Sequence, residues 1–185
     1  MIYTVTFNPA IDYVVWLDRL ESGTINRVQK ELIQFGGKGI NVSVVLGRLG
    51  VENRALGFLA GFTGQAMEQG LAAEGVQTDF IHLPEGVTRI NVKVKGQEET
   101  ELNGRGPDIG EGALAELLGK LDRLTDADIL VLAGSIPASL PGDVYEQILA
   151  RLEGRNVRVV VDAEGELLCR ALAHRPFLIK PNSLE

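Results

Sequence analysis

The sequence has few of the residues that metal centres and disulfide frameworks need. Its 185 residues include one cysteine, Cys169, and two histidines, His82 and His174. A single cysteine excludes an internal disulfide, and the periodic apolar run GELLCRALA around it predicts a buried thiol. The histidines are far apart and have no flanking cluster of carboxylates or cysteines, so neither is assigned to a metal.

Long apolar runs and basic runs are missing too. No window approaches the roughly 18 consecutive apolar residues of a membrane-spanning helix. The N-terminal stretch MIYTVTFNPAID lacks the basic and apolar regions of a signal peptide, which indicates a cytoplasmic protein. The net charge is −7, from 18 basic and 25 acidic residues. This balance disfavours a nucleic-acid partner, whereas a binder of small anions would need only a few cations gathered locally.

Short apolar segments alternate with amphipathic segments along most of the chain, which is long enough for one sizeable core. The strand-like segments include IYTVTF, RALGFLA, ADILVLAGS, VRVVVDA and FLIKPN, and the helix-like ones include INVSVVLGRLG, TGQAMEQGLAAEG and PGDVYEQILARLEG. This order predicts a parallel α/β sheet with crossover helices. In the first helix one apolar stripe is formed by Val42, Val45, Leu46 and Leu49.

Two segments alternate apolar and polar residues at period two instead. They cover about residues 12–35 and 88–103, and Ile90, Val92 and Val94 show the alternation. We expect antiparallel strands that form a small lid over the mouth of one domain spanning residues 1–185. The chain ends just after a strand of the buried type, FLIKPNSLE, where such a fold normally continues. Apolar sheet and helix surface should therefore be exposed there.

The stretch FGGKGINVSVVLGRLG places three glycines and a lysine before an apolar helix. A Walker loop would need glycine in place of Leu32, and Ser or Thr in place of Gly39. A dinucleotide fingerprint that starts at Gly37 would need glycine in place of Val42. What remains is a glycine-rich turn whose free N–H groups and helix dipole favour the oxygens of a ligand. A tight turn with an ordinary solvated lysine is the alternative.

Seven segments in a fixed order favour the ligand-binding interpretation. They are TFNPAIDYVV, GGKGINVSVVLGRLG, GFTG, TRINVK, ETELNGRGP, LAGSIP and IKPNSLE. Together they resemble the ribokinase-like sugar kinases of the PfkB family, with the greatest likeness to its bacterial 1-phosphofructokinase branch. The resemblance runs from residue 2 to residue 185. It implies an α/β fold with a parallel sheet flanked by helices and a small antiparallel β lid, with the C-terminal part of the fold absent.

The same resemblance implies the chemistry, which is transfer of the ATP γ-phosphoryl group to a sugar hydroxyl with Mg²⁺. The expected reaction converts fructose 1-phosphate to fructose 1,6-bisphosphate. Tagatose 6-phosphate and fructose 6-phosphate remain alternative substrates, because the two ends of a fructofuranose ring are nearly alike. The family's catalytic base lies in a later Gly-Ala-Gly-Asp segment, so we expect the chain alone to be inactive. A non-catalytic sugar-phosphate binding module is a further alternative, and pairing of two lids would give a homodimer.

The resemblance implies that eight residues bind the sugar phosphate. Asp12 would bind adjacent sugar hydroxyls, since a carboxylate accepts hydrogen bonds through both oxygens. The others are the sugar contacts Gly36, Gly37 and Asn41, and the phosphate ligands Arg27, Lys38, Arg89 and Ser135. Arg27 and Arg89 taken singly would also suit a charged lid face. The planar fork of arginine matches phosphate geometry, which favours the binding role.

The resemblance also implies that three residues bind the nucleotide. PNSLE contains the family's N-x-x-E signature, which places Asn182 and Glu185 near Mg²⁺ and the ATP phosphates. Glu185 would act on the metal through water, because Mg²⁺ keeps several waters. An acid at a chain end is also commonly just solvated. Lys180 would neutralise phosphate charge. One departure from the pattern, Arg105 in place of an expected proline, should change only a lid turn.

Overall fold

Strands and helices alternate along most of the chain. The structure is a computed structural model and describes residues 1–181, so the predictions for Asn182 and Glu185 lie outside the described residues. The strands are β1 Ile2–Thr6, β2 Ala10–Trp16, β3 Lys30–Gly36, β4 Asn53–Ala60, β5 Gln77–Thr78, β6 Ile81–Leu83, β7 Arg89–Lys95, β8 Thr100–Asn103, β9 Ile129–Ala133, β10 Arg158–Asp162 and β11 Leu178–Ile179. The helices are α1 Lys38–Arg48, α2 Gly61–Ala73, α3 Glu111–Leu121, α4 Val144–Leu152 and α5 Gly165–Leu172.

The main sheet is parallel and has helices on both faces. Its strand order is β11-β10-β9-β1-β4-β5, and β6 also pairs with β4. Alternate residues of β4 enter two different apolar clusters, because successive strand side chains point to opposite faces. Leu56 and Phe58 pack with residues of α3, α4 and α5. Ala55 and Leu59 pack with residues of α1 and α2. The predicted parallel α/β architecture is confirmed.

The lid is a four-stranded sheet of order β3-β2-β7-β8. The pairs β2–β3 and β7–β8 are antiparallel, as predicted, but the central pair β2–β7 is parallel. The expectation of a wholly antiparallel lid is therefore wrong. The reason is that β2 follows β1 and β7 follows β6, which both belong to the parallel sheet. The two hairpins leave the same edge of that sheet, so their first strands run in the same direction.

Helix α1 does not turn its apolar stripe toward the sheet. The residues that it buries are Gly39, Ile40 and Ser43, whereas Val45 is 53% and Leu49 is 71% exposed. Glycine at position 39 allows this close approach, since a Cβ there would lie 2.5 Å from Oγ1 of Thr6 in β1. Small residues therefore form the contact with β1, and the apolar stripe lies on the exposed side. Near the last described residues, Leu178 is also 53% exposed.

The predicted burial of Cys169 is wrong. Helix α5 buries Leu168 and Ala171, whereas Cys169 is exposed. Successive residues of a helix point about 100° apart, so the neighbour of a buried leucine can face solvent. Within residues 1–181, no group of three or more His, Cys, Asp or Glu side chains is placed to hold a metal ion. No helix in this range is long and apolar enough to cross a membrane.

Candidate active site

A cavity of about 490 Å³ opens at the carboxyl edge of the main sheet. Thr6, Ala133 and Ala163 line it from the ends of β1 and β9 and from just beyond β10. Further lining residues come from the start of α1, from the lid and from the segment after β9. Parallel α/β sheets bind ligands at this edge, because loops and helix N-termini converge there. The cavity is therefore the candidate active site.

Four of the eight residues predicted to bind the sugar phosphate line this cavity: Gly37, Lys38, Arg89 and Ser135. Gly37 immediately precedes α1 and has a φ of 127°, which glycine adopts far more readily than other residues. The glycine-rich turn thus brings backbone to the cavity at the start of a helix. This is the arrangement in which free N–H groups favour the oxygens of a ligand.

The segment that carries Ser135 is fixed by the ends of its neighbours. The Tyr145 hydroxyl donates to the Gly134 carbonyl oxygen at 2.9 Å, and the Gly134 N–H donates to the Asp162 carbonyl oxygen at 2.9 Å. Burial raises the pKa of Tyr145, and the Asp162 charge raises it further. The tyrosine therefore stays protonated and remains a hydrogen-bond donor at neutral pH.

One carboxylate contacts two of the predicted lysines. Asp162 Oδ1 lies 3.2 Å from Lys38 Nζ, and Asp162 Oδ2 lies 3.4 Å from Lys180 Nζ. These lysines come from the first turn of α1 and from the position just after β11. A second cavity of about 390 Å³ is lined by Lys38, Asn41, Asp162 and Lys180, together with apolar residues of α1. Lys38 lines both cavities, so the predicted sugar-phosphate and nucleotide sides adjoin at this residue.

Sequence reasoning missed Asp162. The available clue is its position in VVVDA, where an acid directly follows buried apolar residues at the carboxyl end of a strand. Such an acid is costly to bury unless cations or hydrogen-bond donors accompany it. Its partners lie far away in sequence, so no local motif reveals the pairing.

The predicted hydroxyl ligand Asp12 lies in β2 of the lid. Asn91 Nδ2 donates to Asp12 Oδ1 at 2.9 Å, and Lys93 Nζ lies 3.0 Å from Asp12 Oδ2. A Cβ at Gly36 would lie 3.0 Å from the same Oδ2, so glycine there leaves room for the carboxylate. Neither Asn91 nor Lys93 was singled out from the sequence.

Arg89 connects the lid to the main cavity. Its Nε donates to the Asn8 carbonyl oxygen at 3.1 Å. Burial lowers the pKa of Arg89, and the nearby Asp12 charge opposes that shift. The ordinary arginine pKa is high enough that the guanidinium remains charged. The Asn8 side chain in turn donates to the Arg105 carbonyl oxygen at 3.1 Å, and the Arg105 side chain forms an exposed ion pair with Asp108.

The other four predicted sugar-phosphate ligands are not among the residues that line the main cavity: Asp12, Gly36, Arg27 and Asn41. Arg27 is exposed in the loop between β2 and β3 and lines neither of the two cavities. Asn41 is exposed on α1 and lines the second cavity, but it does not line the main one. Their assignment to the sugar phosphate stays a prediction.

A parallel sheet flanked by helices, with a β lid beside a cation-lined cavity at its carboxyl edge, defines a ribokinase-like α/β domain. The chain matches the pfkB family carbohydrate kinases over residues 5–185, and it belongs to that family. The family predicted from the ordered segments is thereby confirmed.

Named relatives agree with this assignment. The chain is 47% identical to a 1-phosphofructokinase of Bacillus subtilis, over all of this chain and 61% of that protein. It is 37% identical to a D-tagatose-1-phosphate kinase of Bacillus licheniformis, over all of this chain and 60% of that protein. Phosphofructokinase-2 from Escherichia coli in complex with fructose-6-phosphate has a similar structure, with a TM-score of 0.91 and 28% identity. That match covers 100% of this chain and 62% of the other. The chain thus spans about 60% of the length of these relatives.

Proposed function

We propose that this chain forms the sugar-phosphate side of an ATP-dependent kinase that converts fructose 1-phosphate to fructose 1,6-bisphosphate. The observation that carries the proposal is the convergence of Lys38, Arg89 and Ser135 on one cavity. The cations come from α1 and the lid, and the hydroxyl from the segment after β9. Such a set suits a phosphate group, because charged donors form the strongest hydrogen bonds to its oxygens.

The chain's own residues would contribute mainly positioning and charge. Phosphoryl transfer depends on alignment and on neutralising developing negative charge. Arg89 and Lys38 would hold the phosphate already on the substrate, while Asp12 would accept hydrogen bonds from ring hydroxyls. The cavity volume of about 490 Å³ lies within the usual range for a small-molecule site.

We assign the phosphates of ATP to the second cavity. Lys38 and Lys180 line it on either side of Asp162, so two cations face a site of about 390 Å³. Mg²⁺ takes few protein ligands and binds chiefly to substrate phosphates and water. Mg·ATP would supply the phosphoryl group, and Asn182 and Glu185 are the proposed further ligands of Mg·ATP. We also propose that the protein acts in the cytoplasm, where ATP is used.

The substrate preference is measured with the longest protein encoded by the gene that contains this sequence, which is called the longest gene product below. Fructose 1-phosphate, fructose 6-phosphate, tagatose 6-phosphate and tagatose 1-phosphate are each assayed with Mg·ATP. The proposal expects the highest kcat/KM with fructose 1-phosphate. A preference for another of these sugars would correct the substrate, and no activity with any of them would refute the kinase.

We further propose that the 185 residues alone bind sugar phosphate without transferring a phosphoryl group. The expected base belongs to a Gly-Ala-Gly-Asp segment that does not occur in the sequence. Calorimetry on the 185-residue chain should show heat of binding with fructose 1-phosphate, and an ADP-release assay should show no turnover. Turnover by this chain would disprove its inactivity, and a missing binding signal would disprove the binding role.

A homodimer formed through the lids is proposed as the assembly. Its support is one face of the lid on which the apolar residues Ile33 and Leu102 are 60% and 62% exposed. A contiguous apolar patch on a protein surface marks an interaction site. Light scattering on the wild type and on Ile33→Lys tests this: a dimer that the substitution dissociates is expected, and a monomeric wild type would reject it.

A further inference from the structure

We propose that Lys93 and Asn91 are positioning residues, which orient the Asp12 carboxylate for the sugar hydroxyls. The inference rests on the proposed function and concerns how its sugar site is built. Both residues lie in β7, next to β2, which carries Asp12. None of the predicted ligand roles includes them.

The parallel register of β2 and β7 brings the three side chains onto one face of the lid. Asp12 is the direct partner of Asn91. Lys93 lies two positions further along β7, and side chains two apart in a strand share a face. The resulting contacts are short: Asn91 Nδ2 to Asp12 Oδ1 is 2.9 Å and Lys93 Nζ to Asp12 Oδ2 is 3.0 Å.

The orientation of the Asn91 amide is itself fixed. Asn91 is 6% exposed, and its Oδ1 accepts a hydrogen bond of 3.1 Å from the Gly104 N–H, just after β8. Because the oxygen is engaged there, the amide nitrogen is directed at Asp12. A contact between three strands therefore fixes one oxygen of the carboxylate.

Asn91 and Lys93 leave the Asp12 carboxylate able to accept further hydrogen bonds. A carboxylate offers about four lone-pair sites, and Asn91 and Lys93 use one on each oxygen. The remaining sites can accept hydrogen bonds from two neighbouring hydroxyls. Without the Lys93 ammonium, Asp12 Oδ2 loses its charged partner and is held less firmly in the geometry that the sugar requires.

Lys95 provides a matched control on the same strand and the same face. Its Nζ lies 2.7 Å from Oε2 of Glu99, which is 67% exposed, whereas the partner of Lys93, Asp12, is 16% exposed. Both lysines thus form one ion pair at a similar strand position. Only the pair made by Lys93 involves the proposed sugar ligand.

The experiment compares Lys93→Met with Lys95→Met in the longest gene product, using fructose 1-phosphate and Mg·ATP. Lys93→Met should raise the KM for the sugar phosphate about tenfold, as expected for losing a partly buried, charge-assisted hydrogen bond. The KM for ATP should stay within about twofold of the wild-type value. Lys95→Met should leave both constants unchanged, and thermal unfolding should show that both variants are folded.

The conservative variant Lys93→Arg keeps the positive charge and should retain most of the sugar affinity. Equal sugar KM values for Lys93→Met and Lys95→Met would overturn the inference while the kinase proposal stands. If Lys93→Met does not fold, Lys93→Arg provides the test instead. A tenfold rise in the KM for the sugar phosphate in Lys93→Arg would also overturn the inference, because the positive charge is still present. A wild-type protein that phosphorylates no ketose phosphate would remove the proposed function and this inference together.

Discussion

The Lys38 ammonium lies 3.2 Å from the Asp162 carboxylate, and this contact joins the start of α1 to the end of β10 across 124 positions of sequence. Lys180 contacts the same carboxylate. Asp162 is 10% exposed, so its charge is only weakly screened by water. It therefore fixes the spacing of two cations that sequence reasoning assigned to different substrates.

Replacing Asp162 by asparagine should lower kcat more than it raises either KM. Asparagine keeps the side-chain shape but removes the charge that holds the two lysines, and a misplaced positioning group costs on the order of 10- to 100-fold in rate. Steady-state kinetics on the longest gene product measures this effect. Asp128→Asn is the control, since Asp128 pairs with the N-terminal ammonium at the opposite edge of the sheet. An unchanged kcat for Asp162→Asn would contradict the positioning role.

Replacing Gly39 by alanine should destabilise the fold. The added Cβ would lie 2.5 Å from Thr6 Oγ1 and 2.9 Å from the Val5 carbonyl oxygen. Overpacking of this kind typically lowers the free energy of unfolding by about 1–3 kcal/mol. Gly47→Ala in the same helix meets nothing within 4 Å and should stabilise by about 0.5–1 kcal/mol. Urea unfolding of both variants measures the difference, and equal stabilities would show that α1 is not held close to β1.

The ion pair of Asp122 with Arg151 should make stability depend on pH in the acid range. Two hydrogen bonds of 2.6 Å from the guanidinium lower the pKa of Asp122 below its ordinary value. The contribution is therefore complete above the ordinary pKa of 3.8 and is lost as the pH falls through the lower folded-state value. The Tm difference between the wild type and Asp122→Asn should be present at neutral pH and shrink below about pH 4. A difference that stays constant down to pH 3 would argue against this contribution.

Much of the main sheet could be predicted because its strands are nearly continuous apolar runs. Leu130, Val131 and Leu132 of β9 are all buried, and such runs identify a strand that is covered on both faces. The alternation through Val92 and Val94 likewise indicated the lid. The orientation of α1 could not be predicted, because it depends on the close contact of Gly39 with Thr6 rather than on the apolar stripe.

For the candidate site, sequence motifs identified residues that follow a strand or open a helix, such as Lys38 and Ser135. They did not identify their partners. Asp162 is 124 positions from Lys38, and Asn91 is 79 positions from Asp12. Side chains that meet only after the sheets have assembled leave no local pattern. The roles of all these residues remain predictions, and the structure adds the contacts through which they can be tested.

The parallel pairing of β2 with β7 also bears on the order of folding. Each half of the lid is a two-stranded hairpin, and an isolated hairpin is at best marginally stable in water. We expect the four-stranded lid to form only when the main sheet has brought the hairpins together, since the Asp12–Asn91 contact spans 79 positions. The lid should therefore gain its amide-exchange protection late in folding and lose it early in unfolding. An ordered lid would then indicate that the core beneath it has already assembled.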